Sequence, residues 1–117
     1  MRLLLARGDV NPDKPDNDGE TPLRQASENG HEGVVRLLLI RDDVSPDKPD
    51  NNGGTPLLWA SKKRHEEVVR LLLARGDVNP DKPNDSGQTP LKIASEHSHR
   101  QIVVLLQPRT TPLPGTD

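Results

Sequence analysis

The sequence predicts an all-α solenoid of stacked antiparallel helix pairs, with hairpin-like fingers projecting between them. Three observations predict it. The chain repeats itself every 34 residues, since Thr21-Pro22-Leu23 returns as Thr55-Pro56-Leu57 and as Thr89-Pro90-Leu91. A period of this length belongs to stacked repeat architectures. Leucine-rich runs recur in the same phase: Arg2-Leu3-Leu4-Leu5, Arg36-Leu37-Leu38-Leu39 and Arg70-Leu71-Leu72-Leu73, decaying to Val104-Leu105-Leu106. Turn residues gather between these runs, with 12 Pro and 9 Gly in 117 residues. A hydrophobic content of only 30% would otherwise suit a borderline disordered chain. The concentration of those residues at periodic positions argues for a fold.

One period, residues 16–49, shows why each element forms. Thr21 is a favoured N-cap and Pro22 a favoured first helical residue, whose missing N–H costs nothing there. A helix is therefore predicted near 22–29, with Leu23 and Ala26 on one face and Gly30 as its left-handed end. A second helix is predicted near 32–40, where Val34, Val35, Leu38 and Leu39 form an apolar stripe with Arg36 and Arg41 away from it. Asp43 to Gly53 holds two prolines and several Asx residues, which is turn chemistry. It reads as a finger turning at Asn52-Gly53. Two such short helices cannot bury both faces alone, so each pair needs a neighbour.

The chain divides accordingly into a partial repeat at 1–15 (second helix and finger), repeats at 16–49, 50–83 and 84–107 (the last without a finger), and a Pro-rich tail at 108–117 predicted to be disordered. Neither end carries the polar capping repeat that solenoid termini normally need, which suggests a piece of a longer array or a truncated gene product.

Composition narrows the function. The formal net charge is −2 with both signs interspersed, which offers neither nucleic acid nor an anionic membrane an electrostatic reason to bind. There is no cysteine, so disulfides and thiolate metal sites are excluded. No signal-peptide pattern or span-length apolar run appears. The expectation is an intracellular protein, cytoplasmic rather than nuclear, monomeric or part of a longer chain.

Gly19-x-Thr21-Pro22-Leu23-x-x-Ala26, Gly30-His31, Val34-Val35 and Leu38-Leu39 together resemble the ankyrin repeat. The second copy gives Gly53, Thr55-Pro56-Leu57, Ala60, His65, Val68-Val69, Leu72-Leu73 and Asp77-Val78-Asn79. The third gives Gly87, Thr89-Pro90-Leu91, Ala94, His99, Ile102-Val103 and Leu105-Leu106. The Pro-Asp-Lys-Pro finger is similar to arrays in fungal multidomain signalling ATPases. The resemblance implies a non-catalytic module that binds a protein partner through its concave face, without cofactor. The alternative it leaves open is a structural or sensing segment of a larger regulatory ATPase-type protein.

The departures from the family pattern are specific. The family's His after Thr-Pro-Leu, which bonds the neighbouring finger, is replaced by Arg24, Leu58 and Lys92. Arg64 and Ser98 stand where Gly30 ends the first helix, at a strain cost of order 1 kcal/mol each. Gln25 stands where Trp59 and Ile93 pack, so repeat one is expected to carry a buried polar group.

No convergent catalytic constellation appears. Arg7-Gly8-Asp9 and Arg75-Gly76-Asp77 spell an integrin-type tripeptide, but they fall where the second helix exits, with Gly as its cap. His31, His65 and His99 lie one repeat apart, on the order of 10 Å, too far for one metal ion, and are expected to cap the second helices. His97-x-His99 has no third ligand. Asp13-x-x-Asp16-x-Asp18-Gly19 lacks the terminal Glu of a calcium loop. Asn84-Asp85-Ser86 is a glycosylation sequon, inert outside the secretory route.

The sharp charge feature is Lys62-Lys63-Arg64-His65, where the other copies have Glu28-Asn29-Gly30-His31 and Glu96-His97-Ser98-His99. Cations suit a helix C-terminus, and they also suit an acidic docking spot on a partner. The resemblance places finger tips and first-helix surfaces at the partner: Asn17, Asp18, Glu20, Glu28, Asn29, Asn51, Asn52, Trp59, Lys62, Lys63, Asp85, Ser86, Gln88, Glu96 and His97. Trp59 has two readings: a packing residue, because Ile93 holds the equivalent place, with a contact hot spot as the alternative, since aromatics are common there.

Overall fold

A computed structural model of the protein describes residues 12–107. The leading leucine run and the Pro-rich tail lie outside the described residues. Among those described there are six α-helices and no strand: α1 (Pro22–Asn29), α2 (Glu32–Leu39), α3 (Pro56–Lys62), α4 (Glu66–Ala74), α5 (Pro90–Glu96) and α6 (Arg100–Leu106). They pair as α1/α2, α3/α4 and α5/α6. The first helices form one layer, α1 on α3 on α5, and the second helices the other, α2 on α4 on α6.

Each first helix starts by the same device. The hydroxyls of Thr21, Thr55 and Thr89 accept from the N–H of Arg24, Leu58 and Lys92, and a proline follows each cap. Each also ends alike. The N–H of His31, His65 and His99 donates to Ala26, Ala60 and Ala94 at 2.9 Å, across a residue in the left-handed conformation. That residue is Gly30 in the first copy but Arg64 (φ 64°) and Ser98 (φ 59°) in the others, so the strain read from the sequence is present at both.

The three histidines occupy the N-cap positions of the second helices, but none makes a side-chain cap bond there. Two of them bond the preceding repeat instead. His65 Nε2 pairs with the Glu28 carbonyl at 2.8 Å, and His99 Nδ1 with the Ser61 carbonyl at 2.9 Å. These are unsatisfied carbonyls of a helix C-terminus, so each histidine ties one repeat to the one before it.

The core runs between the two layers: Leu23, Ala26, Val35 and Leu38, then Leu57, Ala60, Val68, Val69 and Leu72, then Ala94, Ile102 and Leu106. The expected stripe of α2 is only half buried. Val35 and Leu38 face the core and Leu39 packs partly buried against it, whereas Val34 is exposed. Val34 is 45% exposed while its equivalents Val68 and Ile102 are at 0%. The difference follows from stacking. α4 packs on α2 and α6 packs on α4, whereas α2 is the first second-layer helix of the described stack.

Gln25 overturns another expectation. It is exposed, and its amide donates to Asp16 Oδ2 and Glu20 Oε1. A polar group on the first helix of the described stack stays in water, where it costs nothing.

The fingers are turns. Asp16, Asp50 and Asn84 each close one: their backbone N–H groups donate to the carbonyls of Glu20, Gly54 and Gln88, and their side-chain oxygens accept two backbone N–H groups each. These are Asx turns. Adjacent fingers are joined by Asn51 N–H to the Asp18 carbonyl at 3.2 Å and Asp85 N–H to the Asn52 carbonyl at 3.0 Å. Asp13 and Asp47 extend the ladder by accepting from the N–H of Ser45 and Asn79, each at 2.7 Å. Burial raises the Asp47 carboxyl above its usual range, and the Asn79 N–H and Lys82 oppose that only in part.

Candidate functional site

The residues that resemblance placed at a partner are accessible. Asn17, Asp18, Asn29, Asn51, Asn52, Lys62, Lys63, Asp85, Ser86, Glu96 and His97 are exposed, and Glu20, Glu28, Trp59 and Gln88 are half-buried. The finger ladder joins Asn17, Asp18, Asn51, Asn52 and Asp85 into one edge, with Asn51 Nδ2 also reaching the Asn17 carbonyl at 3.4 Å. On α3, Trp59 and Lys62 are three residues apart and Lys63 follows at its C-cap, so all three share a face. The same three positions carry Gln25, Glu28 and Asn29 in repeat one, and Ile93, Glu96 and His97 in repeat three. Because α1, α3 and α5 stack in order, these positions form three rows across one side of the molecule.

Behind that side lies a polar cluster that the sequence reading missed. Arg24, 5% exposed, stands where the family has its histidine, and it makes the bond to the neighbouring finger itself. Its Nε donates to Asp50 Oδ2 at 3.0 Å, its Nη1 pairs with Glu28, and its Nη2 lies 3.7 Å from Glu20 Oε2. The guanidinium carbon sits 4.2 Å from the centre of the Trp59 ring. Trp59 Nε1 donates to the same Asp50 oxygen at 3.0 Å, and Lys62 Nζ lies 5.0 Å from the ring centre. Both cations are within cation–π range of the ring.

Gly54 makes the arrangement possible. It stands where the other fingers have Glu20 and Gln88. A Cβ there would fall 2.5 Å from Trp59 Nε1. The signal was in the sequence as a paired change. Where the helix residue is Arg24, the next finger opens with Asp50; where it is Leu58, the next finger opens with Asn84.

The electrostatics follow from the bonds. Burial alone would raise the Asp50 carboxyl. The N–H groups of Gly54 and Asn52, the Trp59 indole and Arg24 outweigh burial and hold it below the usual carboxylate range. Around Arg24 there are three carboxylates for one guanidinium, so repeat one stays acidic on this side. One repeat along, Lys62, Lys63 and Arg64 are exposed, and none makes an ion pair among the described residues. Four arginines of α2, α4 and the segments that follow them are paired: Arg36 and Arg70 with Glu67, Arg41 with Asp43, Arg75 with Asp77.

The other sequence candidates have structural employment. Arg75 of the Arg-Gly-Asp tripeptide is held by the carbonyls of Leu39 and Val44 at 3.2 Å each, besides its ion pair, and Gly76 is left-handed after the helix. Arg7-Gly8-Asp9 lies outside the described residues. Asp13 and Asp16 bond backbone N–H groups. His97 and His99 pack edge to face with ring centres 5.5 Å apart. Among the described residues no cluster of His, Asp and Glu has a metal-binding arrangement, and no helix is long and apolar enough to cross a membrane.

Comparison with known families agrees with this architecture. A family model described as ankyrin repeats (3 copies) matches residues 40–112, and one described as ankyrin repeats (many copies) matches residues 1–39. No curated protein matches the chain. Threonine-proline caps, paired helices stacked in two layers, hydrogen-bonded fingers and these matches lead to one conclusion: the chain belongs to the ankyrin-repeat family.

Proposed function

We propose that this protein is a non-catalytic recognition module that holds a protein partner against the side formed by its finger tips and first helices. Ankyrin repeats are generally protein–protein interaction modules and are typically not enzymes. One observation carries the choice of side. The framework positions repeat almost unchanged, as with Thr21, Thr55 and Thr89 or Leu38, Leu72 and Leu106, whereas the surface positions at the ends of the first helices change between copies: Asn29, Lys63 and His97 differ in all three, and Lys62 stands where the flanking copies have Glu28 and Glu96. A surface that varies on an invariant frame is suited to distinguishing partners, because specificity lies in side-chain differences. The proposed unit is the 34-residue repeat divided at 16–49, 50–83 and 84–107. Its contact residues are Asn17, Asp18, Glu20, Glu28, Asn29, Asn51, Asn52, Trp59, Lys62, Lys63, Asp85, Ser86, Gln88, Glu96 and His97.

The test is site-specific photo-crosslinking in extract from the source cell. A photoreactive residue is placed at Asn51, Lys62 or Glu96 on the proposed side, and at Arg70 or Val104 on the second helices. The reading expects one protein crosslinked from the first three positions and not from the last two. The same protein crosslinked only from Arg70 or Val104 would place recognition on the opposite side.

A further inference from the structure

The partner-facing side carries a charge register, and we infer that it selects a dipolar peptide segment: an acidic residue over the middle repeat and a basic residue over the first. This rests on the proposed recognition by the finger-tip and first-helix side, and deepens it.

Three observations carry it. In repeat one, Glu20 and Glu28 stand half-buried beside Arg24, which is already bonded to Asp50, and Asp16 and Asp18 are exposed at the adjoining finger. That patch has an excess of negative charge. In repeat two, Lys62, Lys63 and Arg64 are exposed and have no ion pair among the described residues. Unpaired cations of α3 and its C-cap thus lie beside an acidic patch on α1, on neighbouring helices of one layer. The third observation is the ring between them. Trp59 is held by its bond to Asp50 and by Arg24, half-buried, with Lys62 beside it. An aromatic side chain fixed before binding loses little entropy on binding and suits an anchor.

The geometry sets the spacing. Packed helices lie about 8–10 Å apart, and an extended chain advances about 3.3 Å per residue. A segment crossing from α3 to α1 therefore presents residues about three positions apart to the two patches. A polyanion such as nucleic acid is disfavoured, because its next charges would meet Glu28 on one side and Glu96 on the other.

The experiment selects random dodecapeptides displayed on phage against the full chain, then measures the selected peptides by fluorescence anisotropy and by Trp59 emission. The expected peptides carry Asp or Glu about three residues from Lys or Arg. Lys62→Glu/Lys63→Glu should weaken them at least about tenfold and Lys62→Gln/Lys63→Gln several-fold, with helical circular dichroism unchanged in the Gln variant. Glu96→Lys, distant from the Arg24 cluster, should raise affinity for uniformly acidic peptides and so blunt the selectivity.

Selected peptides without acidic residues would overturn the inference. So would binding unchanged by both double variants but lost on Asn51→Ala/Asn52→Ala, an outcome that leaves the proposed side standing. Tighter binding of a single-stranded oligonucleotide than of any selected peptide would overturn it too. Peptides displaced only by Arg70→Glu would overturn both this inference and the reading beneath it.

Discussion

Repeats one and two share their framework residues and differ in what surrounds them. Val34 and Val68 are the same residue in the same phase, yet one is 45% exposed and the other fully buried. Gln25 and Trp59 share a position too, and one is solvated while the other packs beside Arg24 and Asp50. In a stacked array a position acquires its environment from the neighbouring repeat. Equal sequence therefore does not give equal burial, and the middle repeat, covered on both sides, should dominate stability.

The comparison can be broken first at Asp50. Arg24 and Asp50 are 5% and 8% exposed, and Asp50 also satisfies Trp59 and two backbone N–H groups. Asp50→Ala takes from a buried guanidinium its most buried partner, and breaking a buried ion pair usually costs about 3–5 kcal/mol. Asp16→Ala, the equivalent change at an exposed finger, should cost far less. Urea titration of both variants, followed by circular dichroism, checks it. Equal losses would mean that the cluster is not a joint between repeats.

Asp50 also makes a prediction in pH. Its carboxyl is lowered in the folded state, so its contribution to stability is present above the unfolded carboxylate range near 4 and is lost as pH falls through the folded value. Asp47 is raised, so its contribution has the opposite sign and is lost as pH rises through its folded value. Melting temperature measured from pH 7 to pH 3 should fall more steeply in the parent than in Asp50→Asn. Parallel curves would sink the assignment.

Leu72 is fully buried at the centre of the stack, and Leu72→Ala should cost about 2–5 kcal/mol. An array of about three repeats is near the minimum for stability, so that change should bring the whole melt down as one transition. A parent-like melt would contradict the central position of Leu72.

The direct contrast comes next. Val68→Ala should destabilise by about 1–2 kcal/mol, while Val34→Ala should stay within about 0.5 kcal/mol of the parent. Equal effects would show Val34 to be covered in solution.

The smallest expected effect is a gain. Arg64 occupies the left-handed position that Gly30 fills without strain, so Arg64→Gly should stabilise by about 1 kcal/mol. Gly30→Ala should do the reverse, since its Cβ would also fall 2.7 Å from the His65 ring. A loss of stability in Arg64→Gly would show the arginine side chain to contribute more than its backbone costs.

The sequence by itself determined what depends on neighbours along the chain. The caps at Thr21, Thr55 and Thr89, the left-handed ends at Gly30, Arg64 and Ser98, the finger turns and the buried stripe around Leu72 are local or periodic, and a 34-residue repeat shows each of them three times over. Contacts between repeats could not be read that way. Arg24 meets Asp50 across 26 residues, His65 meets the Glu28 carbonyl across 37, and Gly54 makes room for an indole from the following helix. Only the tertiary structure decided that a histidine at an N-cap position bonds the repeat before it, that Gln25 stays in water, and that an arginine in the family's histidine place takes over its bond. Those outcomes depend on which surface the next repeat brings within hydrogen-bond reach, and distance through space is not written in distance along the chain.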